Sequence, residues 1–274
     1  MTTAQAERAR IFLDLHHADD VLVLPNAWDA VSAMVLAQAG FPAIATASAA
    51  VSWTRGVKDG EGLARADALD AVRLMAGAVD VPVTADIEKG FGETPQEVGA
   101  TITEVIAAGA IGINIEDSIE GGQQRGIPDM KARIAAARAA ADAAKIPLVI
   151  NARVDAYLLG KSGDDVYAET IARAAAWVEA GADSIFVPGP KDRDLIGKLA
   201  KDIAAPLNVI VIDESTLSVA KLQALGVARV STGPRLMQCV LGALQRAAAS
   251  IREDGDFRFM AGAANFAEIQ NAMG

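Results

Sequence analysis

The sequence predicts an α/β fold, a single (β/α)8 TIM barrel, and three observations carry that expectation. Eight short runs rich in Val and Ile alternate with alanine-rich segments of helical period along the 274 residues. The runs are apolar throughout rather than at every second position, as parallel strands covered on both faces by helices must be. Several helical segments end in a glycine just before the next run, as in Ala39-Gly40-Phe41, Ala108-Gly109-Ala110, Ala180-Gly181-Ala182 and Leu225-Gly226-Val227. Glycine there supplies the left-handed cap that closes a helix. No linker or low-complexity stretch interrupts the alternation, so residues 1–274 read as one barrel domain with a short N-terminal helix and a C-terminal tail. A doubly wound open sheet is the alternative. It lacks a Gly-x-Gly-x-x-Gly after the first strand, which argues against dinucleotide binding.

Taken in order, residues 5–17 form a short amphipathic helix on Ile11, Phe12 and Leu15, suited to closing one barrel end. His16 and His17 follow as neighbours, and adjacent helical residues diverge, so they are not expected to share a metal. Strands are expected at 21–25, 41–47, 81–86, 110–115, 147–152, 183–188, 207–212 and 228–231. Helices are expected at 29–39, 63–78, 95–108, 129–144, 164–180, 191–203, 216–225 and 234–251. The remainder, 252–274, reads as irregular with short helical pieces that suit packing on a neighbouring subunit.

Hydrophobic residues make up 52% of the chain and aromatics only 4%, so Ala and Val fill the core. A formal charge of −10, with no Lys/Arg-rich run, argues against nucleic acid. The single cysteine, Cys239, lies in the apolar helical segment 236–244 and is expected to pack as a small apolar residue. A lone thiol forms no internal disulfide and suits a reducing cytoplasm. The amino terminus lacks a basic-then-apolar signal, and no apolar run approaches the ~18 residues of a membrane span. The expectation is therefore a cytoplasmic protein.

Active sites of such barrels lie at the carboxyl ends of the strands. The stretch Val81 to Gly92 ends an apolar run in Asp86 and Glu88, and strand alternation places both on one face. The plainer reading is a strand that has ended in solvated loop acids. Strand 1 delivers Asn26, Trp28 and Asp29; strand 2 delivers Thr46, Ala47 and Ser48, then a long segment reaching Asp59. Strand 4 delivers Glu116 and Asp117, of which Glu116 shares the face of Gly112 and Asn114; strand 5 delivers Arg153 and Asp155. Carboxylates gathered from Asp59, Asp86, Glu88 and Glu116 would repel unless a cation balanced them. All-oxygen ligation without a Cys/His set points to Mg²⁺ or Mn²⁺. Arg153 would hold a substrate carboxylate with paired hydrogen bonds, or else serve as the ion-pair partner of Asp155 or Glu116.

These segments resemble a known superfamily. Leu24-Pro-Asn-Ala-Trp-Asp29, Ala45-Thr-Ala-Ser48 with Gly56-Val-Lys-Asp59, Thr84-Ala-Asp-Ile-Glu-Lys-Gly-Phe-Gly92, Gly112-Ile-Asn-Ile-Glu-Asp117 and Asn151-Ala-Arg-Val-Asp155 are similar, in order, to the isocitrate lyase/phosphoenolpyruvate mutase superfamily. The resemblance implies a last helix swapped between subunits in a homodimer or homotetramer. It also implies Mg²⁺ and a small 2-oxo carboxylate substrate. By motif, Asp86 resembles the direct metal ligand, and Glu88 and Glu116 resemble groups that hold the metal through water. Asp59 resembles the acid ending the strand 2 loop, and either it or an ordered water is the candidate for proton transfer. Trp28, Thr46, Ala47, Ser48 and Arg153 resemble the substrate-binding set, and Arg153 and Glu116 are expected to take part in catalysis.

Two departures narrow the chemistry. After Glu116-Asp117 the true lyases resemble Lys-(Lys/Arg)-Cys-Gly-His, whereas here the loop reads Ser118-Ile-Glu-Gly-Gly-Gln-Gln-Arg-Gly-Ile-Pro128, with neither Cys nor His. The lysine- and asparagine-containing gating loop of the mutase and of phosphonopyruvate hydrolase is not matched either. What remains is a glycine-rich lid on Gly121 and Gly122 with Arg125 as its cation. The expectation is a Mg²⁺-dependent lyase that cleaves a C–C bond in an oxaloacetate-like acid through a metal-stabilised enolate. Phosphonopyruvate P–C chemistry and a barrel that binds a 2-oxo acid without turnover are the alternatives.

Overall fold

β-Branched side chains pack well on a pleated surface, and the Val/Ile runs accordingly become strands. The computed structural model describes residues 3–60 and 62–273. Its strands are β1 (Leu22–Leu24 and Asn26–Ala27), β2 (Ile44–Thr46), β3 (Val83–Asp86) and β4 (Gly112–Glu116), then β5 (Val149–Arg153), β6 (Ser184–Phe186), β7 (Leu207–Ile210) and β8 (Arg229–Ser231). Each pairs in parallel with the next in sequence.

Pro25 divides β1 and lets it close the ring. The Leu22–Leu24 piece pairs with β8, Leu24 opposite Ser231, while Asn26–Ala27 pairs with β2, Asn26 opposite Ala45. Proline has no N–H to donate, but its carbonyl still accepts the Ala45 N–H at 2.9 Å. Asn26 then ties three strands together. Its Oδ1 accepts the Thr232 and Gly233 amides at 3.0 and 2.8 Å, and its Nδ2 donates to the Thr46 carbonyl at 2.8 Å. All eight expected strands are present, and the alternation closes as a barrel rather than an open sheet.

The helices are α1 (Thr3–Leu15), α2 (Ala30–Gln38), α3 (Ser48–Thr54), α4 (Arg65–Ala78), α5 (Pro95–Ala107) and α6 (Ile127–Ala144), followed by α7 (Asp164–Glu179), α8 (Arg193–Asp202), α9 (Val219–Ala224), α10 (Arg235–Glu253) and α11 (Phe266–Ala272). Thr94 and Glu97 form a reciprocal capping box at the start of α5, with Pro95 in its first turn. Gly40, Gly109, Gly181 and Gly226 all take the left-handed backbone, with φ between 84 and 107°. These are the four glycines expected to end helices. The segment Ser48–Thr54 was expected as loop and is helical.

α1 plugs the amino-terminal end of the barrel. A Cβ on Gly112 would come within 2.9 Å of Phe12 Cε1 and 2.7 Å of Thr84 Oγ1, so the plug needs glycine at that position. Beside Phe12, His16 Nδ1 donates to the Phe12 carbonyl at 2.7 Å and its Nε2 faces Arg229 Nη1 at 3.4 Å. Arg229 is fully buried inside the barrel and donates to Asn114 Oδ1 at 3.1 Å.

At the other end of the chain, α10 buries only Met237. Cys239 is exposed, not packed as expected, because the apolar stripe of α10 turns away from its own barrel. Among the described residues, no helix is long and apolar enough to cross a membrane.

Candidate active site

The carboxyl end of β3 is built to hold one acid. Thr46, ending β2, accepts the Asp86 N–H on Oγ1 at 2.8 Å. Ser48, opening α3, donates its hydroxyl to Asp86 Oδ2 at 3.0 Å, and the Glu88 N–H reaches Oδ1 at 3.2 Å. Burial raises the Asp86 pKa; the nearby Arg153 guanidinium opposes that rise and Asp59 adds to it. The helix α3 is what brings Ser48 to the carboxylate.

On the next two strands the register sets Glu116 directly beside Arg153. Arg153 Nη1 lies 2.7 Å from Glu116 Oε2, and its Nε donates to Asp155 Oδ1. Ser118 donates to the other Glu116 oxygen at 2.8 Å. Burial pushes Glu116 up to about 7, against the pull of Arg153, with Asp155 and Asp86 pushing the same way as burial. Burial disfavours the Arg153 charge, yet Glu116, Asp155 and Asp86 together hold its pKa above the ordinary value. The guanidinium also sits 5.7 Å from the centroid of the Phe186 ring.

Asp117 faces the other way, as strand alternation requires. It accepts the Asp155 N–H at 3.0 Å, Gln124 Nε2 at 3.0 Å and Arg173 Nη1 at 3.1 Å. It braces the loop behind the site while Glu116 points inward.

A cavity of about 190 Å³ opens at this barrel mouth. Ala47, Ser48, Asp59, Asp86, Asn114 and Arg153 line one side. Leu158, Phe186, Pro188, Ile210 and Ile212 form an apolar wall, and Gly233, Pro234 and Arg235 complete the rim. A second cavity of about 10 Å³, bounded by Thr46, Ser48, Asp86, Glu88 and Phe91, adjoins it. That volume is room for about one water.

The expected site residues therefore sort into three groups. Asp59, Asp86, Ala47, Ser48 and Arg153 meet at the main cavity. Thr46 and Glu88 stand behind Asp86 at the smaller one, and Glu116 stands behind Arg153. Arg153 fulfils both of its readings, since it is paired with Glu116 and Asp155 and still faces the cavity. Ala47 is a wall residue whose own N–H is committed to the Ala27 carbonyl at 3.0 Å, so it has no amide to offer a substrate.

Three expectations need correction. Glu88 does not continue the strand, which ends at Asp86; its φ of 51° is left-handed, and the turn rather than alternation brings it beside Asp86. Trp28 lies outside both cavity linings and packs against Ala27 and Ala47 in the small clusters under α2 and α3. Gly121 and Gly122, at φ 80° and 72°, form the tip of a small hairpin pairing Ser118–Ile119 with Gln123–Gln124. Arg125 is anchored away from the cavity. Its Nη1 pairs with Asp129 Oδ2 at 3.0 Å, and its backbone is bound on both sides, to the Asp117 carbonyl and by Arg173. It is no free cation for a lid.

Arg235 was not anticipated. It is the first residue of a helix, beyond the strand end where candidate residues were sought, and only the Gly233-Pro234 turn hinted at its direction.

Among the described residues, no three His, Cys, Asp or Glu side chains converge as a ready-made cation cage. A buried acid at the cavity, with further carboxylates one step behind, instead suits a hydrated ion. Mg²⁺ typically keeps several waters and takes only one or two protein carboxylates.

Comparison with known proteins shows the family to which this fold belongs. A Burkholderia cenocepacia J2315 candidate lyase/mutase superposes with a TM-score of 0.93 at 38% identity, covering 98% of this chain and 96% of its own. A 2-methylisocitrate lyase of Bacillus subtilis is 30% identical over 75% of this chain and 67% of its own length. A phosphonopyruvate hydrolase complexed with oxalate and Mg²⁺ superposes with a TM-score of 0.85 at 30% identity, covering 99% and 95%. The model of the phosphoenolpyruvate phosphomutase family matches residues 12–252, so the chain belongs to that family, within the isocitrate lyase/phosphoenolpyruvate mutase superfamily.

Proposed function

We propose that the protein is a Mg²⁺-dependent lyase that breaks a C–C bond in a small 2-oxo carboxylate of the oxaloacetate type, by decarboxylation or retro-aldol cleavage. The observation that carries this reading is the shared cavity of Asp86 and Arg153, a buried acid and a guanidinium at the carboxyl ends of β3 and β5. The similarity to a lyase and to a hydrolase complexed with oxalate and Mg²⁺ supports it. Asp86 would hold the ion directly, with Glu88 and Glu116 reaching it through water. Mg²⁺, when bound, supplies the positive charge that draws electrons toward the 2-oxo oxygen as the bond breaks.

The chain's own residues do the rest. Arg153, fixed from behind by Glu116 and Asp155, orients the substrate carboxylate at the cavity wall. Ser48 keeps Asp86 aimed through its hydroxyl. The apolar wall of Phe186, Ile210 and Ile212 keeps water from the carbon where the bond breaks. Asp59, exposed at the cavity edge, or a water ordered there relays to that carbon a proton drawn from solvent. The lack of Cys and His in the 118–128 loop means no thiol is available there for that role.

The test is product release from oxaloacetate with Mg²⁺ and with chelator. Asp86→Ala should abolish the metal-dependent turnover, and full activity of that variant in chelator would refute the role. A second reading, P–C cleavage of phosphonopyruvate, is favoured by Asp59 at the cavity and by the 30% identity with phosphonopyruvate hydrolase. Measuring pyruvate and phosphate from phosphonopyruvate beside pyruvate and CO₂ from oxaloacetate separates the two.

A further inference from the structure

The small chamber beside Asp86 has in its wall a polar group that the chemistry above leaves unused. Ser52 lies on α3 four residues after Ser48, so the two side chains share one face of that helix. Ser48 commits its hydroxyl to Asp86 Oδ2. Ser52 is 1% exposed and lines the chamber of about 10 Å³, and its Oγ has no hydrogen-bond partner among the described residues. An unpaired hydroxyl out of reach of water weakens a fold, and native structures seldom keep one without a partner.

The chamber supplies what that hydroxyl lacks. Asp86 and Glu88 line it too, with Val51, Leu63 and Phe91 among its apolar residues. Asp86 accepts Ser48 on one oxygen and the Glu88 N–H on the other, and each carboxylate oxygen can accept a second bond. Buried waters make about three hydrogen bonds, and about 10 Å³ is room for one of them. Such a water accepts the Ser52 O–H and turns its own two hydrogens to the Asp86 and Glu88 carboxylates. A hydrated ion is too large for this space. The adjoining cavity of about 190 Å³, which Asp86 and Ser48 also line, is the one with room for it. Leu63 and Phe91 line a surface cavity of about 380 Å³ as well, which gives water an approach that avoids the substrate cavity.

We propose that Ser52 holds one internal water between Asp86 and Glu88, and that this water fixes both acids for the cation. Ser52 is a positioning residue, acting on the ion only through the water and the two carboxylates. The water site rests on Ser52; its effect on the ion rests on the reading of Asp86 as the direct ligand.

The test is Ser52→Ala, read in three ways. If no water is held, the substitution removes an unpaired hydroxyl and places a better helix former in α3, so the melting temperature of the metal-free protein rises. If the water is held, the substitution removes one of its three bonds, and the melting temperature falls. The sign decides, and a fall is expected. In calorimetry with Mg²⁺ alone, Ser52→Ala should weaken binding about 10-fold, as loss of a group that orients a metal ligand does. A high-resolution crystal structure of the metal-free protein should show a water within hydrogen-bond reach of Ser52 Oγ and both carboxylates. In Ser52→Ala that water should be lost or displaced.

A higher melting temperature, no water at Ser52, or unchanged Mg²⁺ affinity where Asp86→Ala abolishes it overturns the proposal. Should Asp86→Ala leave Mg²⁺ binding untouched while the water is seen and Ser52→Ala still melts earlier, the ligand reading falls and the water site stands. Should Asp86→Ala abolish Mg²⁺ binding while Ser52→Ala melts later and binds Mg²⁺ as before, the water site falls and the ligand reading stands.

Discussion

Arg153 Nη1 lies 2.7 Å from Glu116 Oε2, while the same guanidinium holds Asp155 through Nε. One cation is thus shared between two buried carboxylates and a cavity. Removing it leaves two acids facing each other out of reach of water, which is costlier than the pair itself is favourable. Arg153→Met should lower the unfolding free energy by roughly 3–5 kcal/mol. Adding Glu116→Gln to it should recover part of that loss, since one of the stranded charges is gone. Urea denaturation of the four chains of this cycle measures the coupling, and simple additivity would show that the pair is not energetically linked.

Ser48 offers a milder probe of the same site. Its hydroxyl donates to Asp86 Oδ2 at 3.0 Å, so it favours the ionised acid that a cation needs. Ser48→Ala should weaken Mg²⁺ binding by about 10- to 100-fold, the usual cost of losing a group that orients a metal ligand. Calorimetry with Mg²⁺ alone checks this without any assumption about substrate. Unchanged affinity would remove Asp86 from the role of direct ligand.

Much of this site was legible from strand ends. Asp86, Glu116 and Arg153 are the last residues of β3, β4 and β5, and a buried parallel strand announces itself by an unbroken apolar run. What lay past a strand end was harder to read. Glu88 was assigned by alternation, but its left-handed φ comes from a turn, and turn geometry is not set by the period of the preceding strand. Helix α3 spans only Ser48–Thr54, two turns, too few for a helical period to stand out. Arg235 sits on a helix whose apolar spacing was correctly read, yet spacing alone does not say which way its first residue faces. Arg125 looked like a free lid cation because its partners, Asp129 and the Asp117 and Arg173 contacts, are set by tertiary packing.

The barrel plug makes a pH prediction. The Phe12 carbonyl can only accept, so His16 carries its proton on Nδ1 and presents a bare Nε2 to Arg229 at 3.4 Å. Burial lowers its pKa to about 3, with the Arg229 charge acting in the same direction. In the unfolded chain the ring takes a proton near its ordinary value of 6.5, so between 6.5 and about 3 the unfolded state binds the extra proton. Stability is therefore lost as pH falls through that window, by at most about 5 kcal/mol from this group. His16→Gln keeps a polar side chain there but cannot titrate, and its unfolding free energy should fall less steeply across the same range. Chemical denaturation at pH 7, 5.5 and 4 decides; parallel curves for both chains would mean that His16 is not the acid-sensitive group.

The flank of α10 predicts assembly. Its first turn packs through Met237 against Ala47 and Ala50, and thereafter the helix buries nothing on its own chain. Val240, Leu241, Leu244 and Ile251 fall on one stripe by their spacing, and Leu244 is 63% exposed. Phe257, Met260 and Phe266 in the following segment are exposed as well, at 66%, 57% and 80%. So much adjoining apolar surface is the mark of an interface rather than of a solvated face. We propose that α10 docks on a second copy of this chain, giving the homodimer or homotetramer that the family resemblance implies. Burying one leucine is worth about 1.5–3 kcal/mol per copy, and a carboxylate in its place adds a desolvation cost. Leu244→Glu should therefore shift the sedimentation coefficient toward that of a single 28.3 kDa chain at micromolar concentration, with the barrel's circular dichroism retained. Sedimentation of the unaltered protein as a monomer at that concentration would sink the assignment.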